Sequence, residues 1–324
     1  MRQLEEALDL RACLTGIIDY AGLFPPAALG SAAAVSEYLS LQSDVSYQWL
    51  FRRFVLPMAP ELRRRELLQR FQDELRQRST QVPVAVLLPS FTQMEEVSLT
   101  FREFLESCLA TPSGNGSVET GILVESLEFS LPVISSLSLA ELSQLENFLH
   151  DFSRCCGQIL LYIEQDWKEL DLQCLELFAQ LRQRYPFLHL KIRTGGLTSE
   201  AVPSAQLLAR VIEFTVRANV PFKCTAGLHA ALFETSKRFG FEMHGFINVL
   251  LAVAQAREEQ KLEHIESSLK IGNHEALCAR LPVALGTDWL TKMAQARLHM
   301  HSFGCCSIKE PHESLLHHRL LQPQ

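Results

Sequence analysis

The stretch LHLKIRTGGLTSEAVPSAQLLARVIEFTVRANVPFKCTA, residues 188–226, contains the pattern that decides the fold. It begins with a short apolar run at residues 188–194 and ends with another at residues 221–226. The segment between them has apolar residues at the spacing of an amphipathic helix: Leu208, Val211, Ile212 and Thr215. A strand, a helix and a second strand in this order form one repeat of a parallel α/β fold.

The same alternation of apolar runs and helical segments extends through most of the chain. The other candidate strands are residues 14–19, 50–57, 82–89, 119–125 and 158–164. The candidate helices have capping-box pairs, which mark helix starts: Thr92 with Glu95, Ser138 with Glu141, and Asp166 with Glu169. Seven such units in 324 residues predict an α/β protein of the (β/α)8 type, a TIM-like barrel.

A closed barrel requires an eighth strand, for which two segments compete. Residues 244–253 are sufficiently apolar, but they continue into a helical pattern, whereas residues 302–308 follow a long helical region. We favour residues 302–308. Residues 1–324 would then form a single barrel domain, with residues 254–300 as a helical insertion or extension within its C-terminal part.

Composition and charge exclude several classes of function. The net charge of −7 argues against nucleic-acid binding, which needs a basic surplus to displace counterions. No window approaches the roughly 20 apolar residues of a membrane span, and the first residues do not have the pattern of a signal peptide. Nine cysteines cannot all pair within one chain, and their spacing, including the adjacent Cys305 and Cys306, predicts reduced thiols. These features predict a cytoplasmic protein.

Function in such barrels collects at the C-terminal ends of the strands, so polar residues at those ends are the candidate site. Carboxylates end three of the runs: Asp19, Glu125 and Glu164. The sixth run ends in Lys191-Ile-Arg193-Thr194-Gly195-Gly196, and the seventh ends in Lys223-Cys-Thr225-Ala-Gly227-Leu-His229. Because residues two apart on a strand share a face, Lys191 and Arg193 are predicted to point inward together, and Lys223 and Thr225 likewise.

These two strand ends resemble the paired lysine-bearing strand ends of the deoxyribose-phosphate aldolase family. The resemblance implies a class I aldolase-like lyase that forms a lysine Schiff base and needs no cofactor. It implies that Lys191 or Lys223 is the nucleophile and that the other lysine lowers its pKa. Asp19, Glu125 or Glu164 would then move protons, and the substrate would be a small anionic carbonyl or sugar compound, such as a phosphorylated one.

The same resemblance implies that Gly195, Gly196 and Gly227 lie at the phosphate-side turns, whereas Arg193 stands where that family has a small residue. From their places at the strand ends, Arg193, Thr194, Thr225 and His229 are also predicted to bind the substrate. In addition, the whole chain, including residues 19–26 and 302–307, resembles an uncharacterised bacterial family. That second resemblance implies no activity.

Three other interpretations of these residues remain open. The carboxylates, with His229, are also candidate ligands for Mg²⁺ or Mn²⁺ in an isomerase or lyase, since these metals prefer oxygen ligands. The cationic residues Lys191, Arg193 and Lys223 suit a non-catalytic site for a phosphate or carboxylate. They are equally consistent with a structural ion network that fills the barrel mouth with the three carboxylates.

Overall fold

The fold was examined in a computed structural model, which describes residues 8–57, 75, 81–88, 121–166, 168 and 170–322. Eight parallel strands close into a barrel, with helices between them. Around the barrel the strands follow the order β1-β10-β7-β6-β5-β4-β3-β2. The prediction of a (β/α)8 barrel is therefore confirmed.

The barrel strands and one small hairpin are numbered in chain order. The barrel strands are β1 (Ile18–Tyr20), β2 (Phe51–Pro57), β3 (Gln81–Leu87), β4 (Gly121–Ser130), β5 (Leu160–Gln165), β6 (Leu188–Arg193), β7 (Phe222–Thr225) and β10 (Met300–Cys305). The antiparallel hairpin consists of β8 (Glu234–Thr235) and β9 (Glu242–Met243). The eighth barrel strand thus lies near residues 302–308, as predicted.

The described helices are numbered in the same way. They are α1 (Arg11–Leu14), α2 (Ser31–Gln42), α3 (Leu139–Cys156), α4 (Leu172–Arg184), α5 (Ala205–Arg217), α6 (Phe246–Arg257), α7 (Leu262–Ser268), α8 (His274–Leu285), α9 (Trp289–Ala296) and α10 (Lys309–His317). The helical region predicted at residues 254–300 begins earlier, at Phe246, because the apolar run there is a buried helix. No helix within the described ranges is both long and apolar enough to cross a membrane.

Two of the predicted helix starts fall on described residues. At α3, the Ser138 hydroxyl oxygen accepts a hydrogen bond from the Glu141 N–H group, and the Glu141 carboxylate accepts one from the Ser138 N–H group, which is the predicted capping box. The start predicted at Asp166 is wrong, because α4 begins after Asp171, whose side chain accepts from the Cys174 N–H group. Asp166 instead accepts from the Lys168 N–H group in a tight turn. The pair Thr92 and Glu95 lies outside the described residues.

The chain divides into two compact units, Met1–Tyr20 with Leu41–Arg52 and Lys191–Gln324, and Ala21–Ser40 with Arg53–Leu190. In the first unit, the ring of Phe246 on α6 stacks on that of Phe303 on β10, with centroids 5.1 Å apart. Phe303 therefore faces the helices. In the second unit, Phe129 on β4 meets Phe148 on α3 edge to face at 5.7 Å. Both contacts are between a strand and a helix, as expected for the apolar layer outside a barrel.

Candidate functional site

A buried cluster in the first unit joins three strands. The Lys223 ammonium group on β7 donates a hydrogen bond to the Asp19 carboxylate on β1, and both side chains are buried. The Ser302 hydroxyl on β10 donates to the same carboxylate oxygen at 2.7 Å. Two predicted site residues, Asp19 and Lys223, therefore lie in direct contact.

The register of the strands explains how Asp19 reaches across an intervening strand. β10 lies between β1 and β7, and its Gly304 is in register with Asp19 on one side and Thr225 on the other. Gly304 has no side chain and Ser302 has a small one, so β10 leaves room for the contact between Asp19 and Lys223. Small residues on the middle strand are thus a condition for the cluster.

An irregularity in β10 lies directly beside the cluster. Met300 is in register with Phe222, but Phe303 is in register with Cys224, so two residues of β10 stand opposite Lys223. Such a bulge can change where a side chain points, and bulges are common near active sites. Here the two residues opposite Lys223 are His301 and Ser302, of which Ser302 reaches the carboxylate.

Lys191 on β6 is also buried. The Thr194 N–H group donates to the Thr225 carbonyl at 2.9 Å, and in a parallel ladder this bond aligns Thr194 with Ala226. Counting three residues back along both strands aligns Lys191 with Lys223. The backbones of neighbouring strands are about 4.8 Å apart, so two lysines on one face of adjacent strands begin close together.

The segment after β6 meets the segment after β7 at two glycines. A Cβ atom on Gly195 would lie 2.6 Å from the Gly227 Cα atom, so neither glycine tolerates a side chain without a shift of the backbone. Gly227 also has φ +83, and Ala226 before it has φ +57, in the left-handed region. The predicted glycine turns are therefore a close contact between two backbones.

The other predicted substrate-binding residues on these strands differ in exposure. Arg193, which ends β6, is exposed, although strand alternation predicts an inward direction. Thr194 is buried, and its hydroxyl group donates to the Ala226 carbonyl at 2.8 Å, so this side chain holds the two loops together. Thr225 and Gly196 are half-buried.

His229, which follows β7, lies in a second polar group. Its Nδ1 atom is 2.7 Å from Oε2 of Glu310 on α10 and 3.6 Å from the Cys305 sulfur at the end of β10. Electrostatic interaction with Cys305, followed by hydrogen bonds with Cys305 and Glu310, raises the pKa of His229 to about 11 against the effect of burial. We had expected His229 to bind substrate or metal, whereas the structure places it against a thiol and a carboxylate.

Glu125 does not end a strand, contrary to prediction. β4 continues to Ser130, and Val84 pairs with Val124 while Ala85 pairs with Ser126, so Glu125 is the extra residue of a β-bulge. Its Oε2 atom lies 3.0 Å from Nε of Arg53. No feature of the sequence marks the bulge. Because the bulge adds one residue, counting alternate residues through it assigns those beyond it to the wrong face of the strand.

Glu164 and the missed carboxylate Glu128 lie on the neighbouring strands of the second unit. Glu164 is half-buried near the end of β5 and in register with Ser130. Glu128, in register with Tyr162, is almost fully buried on β4. Because the sequence predicts that this strand ends at residue 125, Glu128 is not among the predicted site residues.

Cys224 on β7 is fully buried, and burial raises the pKa of its thiol to about 12. This agrees with its interpretation as a core residue, because a nucleophilic cysteine needs the thiolate. Among the described residues, no group of three or more histidine, cysteine, aspartate and glutamate side chains could hold a metal ion.

Comparisons with known proteins give this site no family. No protein-family model matches the chain. A comparison with curated protein sequences finds no significant similarity. The resemblance of the two lysine-bearing strand ends to the deoxyribose-phosphate aldolases therefore stays a prediction, and the argument for function depends on the geometry of Asp19, Lys191 and Lys223.

Proposed function

We propose that the protein is an aldolase-like lyase in which Lys191 forms a Schiff base with a small anionic carbonyl or sugar substrate. The observation that carries the proposal is the buried contact between Asp19 and Lys223, of which Lys223 lies on β7, the strand beside that of Lys191. Buried lysines with a cationic neighbour are the arrangement that nucleophilic amines need.

The contact with Asp19 assigns different roles to the two lysines. Lys223 already donates a hydrogen bond to the Asp19 carboxylate, so it is engaged as the partner of that carboxylate. A fixed positive charge beside Lys191 disfavours a second charge there and favours its neutral amine. We therefore assign the nucleophile to Lys191 and the charge-setting role to Lys223.

The reaction needs one group that accepts and returns protons. The Lys191 amine adds to the carbonyl carbon, a C–N bond forms, and the carbonyl oxygen leaves as water after it gains two protons. The resulting iminium withdraws the electron pair of the bond between the α and β carbons of the substrate as that bond breaks, while the β-hydroxyl group gives its proton to a base and the β fragment leaves as a carbonyl compound. The enamine then takes a proton at its α carbon, and water hydrolyses the iminium to release the second product and the free lysine. We assign this role to Asp19, the carboxylate that accepts hydrogen bonds from Lys223 and Ser302.

The anionic part of the substrate has a candidate site at the ends of β6 and β7. Arg193 is exposed there, and a guanidinium group binds phosphate or carboxylate with two hydrogen bonds. The close packing of Gly195 on Gly227 holds the two loop ends together there. These features also fit a non-catalytic anion site, which is the second candidate function.

The alternative with Mg²⁺ or Mn²⁺ has less support from the arrangement of the proposed ligands. Asp19 contacts the Lys223 ammonium, Glu125 contacts Arg53, and His229 contacts Glu310. A metal would have to displace these partners. The proposal therefore includes no metal.

Reductive trapping tests the Schiff base. The folded protein would be incubated with cyanoborohydride and a panel of glyceraldehyde 3-phosphate, acetaldehyde, pyruvate and glyoxylate, followed by intact mass and peptide mapping. We expect a stable adduct at Lys191 with at least one phosphorylated or carboxylated member. An adduct at Lys223 instead would overturn the assignment of roles.

Two arginine substitutions provide a matched comparison. Lys191→Arg removes the amine that forms the imine, so the adduct should be lost. Lys237→Arg, at an exposed lysine in the loop between β8 and β9, should leave it unchanged. If no member of the panel labels the protein, and phosphate alone raises its melting temperature in a way that Arg193→Gln abolishes, the anion-binding function replaces the lyase.

A further inference from the structure

Ser302 on β10 is a buried polar residue that the proposed lyase reaction gives no task of its own. Its hydroxyl group donates to Oδ2 of Asp19 at 2.7 Å, and Nζ of Lys223 donates to the same oxygen. A buried hydroxyl group costs free energy unless it is hydrogen-bonded, whereas an alanine at this position would need no partner. The serine therefore requires an explanation other than the filling of space.

The two donors hold the Asp19 carboxylate from two different strands. Ser302 lies on β10, next to the strand of Asp19, whereas Lys223 lies on β7, on the other side of β10. Rotation of the carboxylate about its Cβ–Cγ bond would move Oδ2 away from both donors. The long, flexible side chain of Lys223 can follow such a rotation, but the short side chain of Ser302 cannot. Ser302 is therefore the contact that restricts the orientation of the carboxylate.

The register of β10 places Ser302 on the same face of the sheet as Asp19. Gly304 is in register with Asp19, and residues two apart on a strand share a face. Phe303, between Ser302 and Gly304, packs on Phe246 of α6 and thus points to the helices. Ser302 and Gly304 therefore face away from the helix layer, toward the buried carboxylate.

The backbone beside Asp19 leaves space on that face. Apart from its chain neighbours, a Cβ atom on Gly304 would have one described atom within 4 Å, which is Oγ1 of Thr225 at 3.8 Å. A Cβ atom on Gly195 would instead lie 2.6 Å from the Cα atom of Gly227. The position in register with Asp19 thus has room for a small reacting group, which the closely packed glycines do not have.

We propose that Ser302 is a positioning residue, which holds the Asp19 carboxylate in the orientation required for proton transfer at the α carbon of the substrate. The inference rests on the proposed lyase, because it presupposes the imine at Lys191. Asp19 takes a proton from the α carbon of this imine, and the electron pair of the C–H bond forms the carbon–carbon double bond of the enamine. The iminium nitrogen becomes neutral in this step, and the reverse step returns the proton.

Two measurements separate proton transfer from imine formation. Reductive trapping at Lys191 needs only the imine, whereas exchange of the α hydrogen atoms of the substrate for deuterium also needs the transfer to Asp19. Pyruvate, acetaldehyde and glyceraldehyde 3-phosphate have α hydrogen atoms, so proton NMR in heavy water follows their exchange in the presence of the folded protein. The rate with Lys191→Arg gives the background that is subtracted.

Ser302→Ala should leave the yield of trapped adduct at Lys191 nearly unchanged and lower the exchange rate by about tenfold or more. A displacement of a reacting group by about 1 Å can cost roughly a hundredfold in rate, so the loss of an orienting contact is sufficient for this effect. Ser302→Thr keeps the hydroxyl group and should restore most of the exchange. Ser153→Ala, at an exposed serine on α3, is the matched control and should change neither measurement.

The possible results distinguish this inference from the proposed function. An adduct without exchange in the wild type, or exchange that is unchanged in Ser302→Ala, would overturn the positioning role and leave the Schiff base intact. Loss of both adduct and exchange in Ser302→Ala would mean that the serine only maintains the structure of the site, which also overturns the role. The wild type giving neither adduct nor exchange would overturn the lyase and this inference together.

Discussion

Two ion pairs, one in each compact unit, each contain a carboxylate from a predicted strand end, but the pairs differ in burial and in hydrogen bonding. Asp19 and Lys223 are 0% and 1% exposed, and a third side chain, Ser302, also binds the carboxylate. Arg53 and Glu125 are 11% and 14% exposed, and Nε of Arg53 is close to Glu125 without the geometry of a hydrogen bond. Both carboxylates belong to predicted strand ends, but only Asp19 contacts a predicted lysine.

The difference shows that burial determines how much desolvation energy a charged pair costs and how strongly the loss of one partner destabilises the protein. A fully buried pair costs much desolvation energy, so it is a poor way to gain stability, and it is disrupted severely when one partner is lost. A pair with some exposure is partly solvated and less sensitive. A costly buried pair on barrel strands is a candidate for a functional role, so it supports the proposal that places the site in the first unit.

The largest expected effect follows from removal of one buried charge. Lys223→Met should lower the free energy of unfolding by about 3 to 5 kcal/mol, because it leaves the Asp19 carboxylate buried without its cation. Urea denaturation of the variant and the wild type measures the loss. The double variant Asp19→Asn with Lys223→Met should recover most of it, and a double variant as unstable as Lys223→Met would contradict the importance of the charge pair.

A smaller loss is expected in the second unit. Arg53→Met should cost about 1 kcal/mol, since Glu125 keeps contact with solvent and can remain charged at moderate cost. The same urea measurement, with Glu125→Gln as the matched partner, tests this value. A loss equal to that of Lys223→Met would mean that the difference in burial between the two pairs has no energetic consequence.

Much of the barrel could be predicted because repeated strands and helices leave a periodic signal in the sequence. The runs that become β2, β3 and β6 were placed within about two residues of their ends. Asp19 and Lys223 also lie on the predicted strands, β1 and β7. Alternation along a regular strand requires no knowledge of the neighbouring chain, so it can be read from one sequence.

The other features of the site could not be predicted, because alternation along a strand reveals neither bulges nor contacts between distant residues. The bulge at Glu125 extends β4 and brings Glu128 into the buried face, and the bulge in β10 turns Ser302 toward Asp19. His229 contacts Glu310 and Cys305, which lie 81 and 76 positions further along the chain. No local pattern connects residues at such separations.

A third pair lies closer to the surface and should respond to pH. His229 and Glu310 are 21% and 45% exposed. Because the pKa of His229 is raised from its ordinary value of 6.5 to about 11, its stabilising effect is complete below pH 6.5 and is lost as the pH rises through about 11. The difference in melting temperature between wild type and His229→Gln should therefore shrink over that range. A difference that is constant from pH 6 to pH 11 would contradict the raised pKa.

The smallest effect is expected where the pair is most exposed. Arg184 and Glu146 are 54% and 41% exposed, although their side chains are only 2.6 Å apart. Water and salt screen such a pair, and both side chains lose rotamer freedom when the pair forms. Arg184→Gln should therefore change the free energy of unfolding by less than about 0.5 kcal/mol. Urea denaturation at low and high salt measures it, and a loss that exceeds that of Arg53→Met would break the order of the series. The 2.6 Å separation is shorter than the 3.0 Å of the Arg53 pair, so this comparison separates burial from distance as the cause.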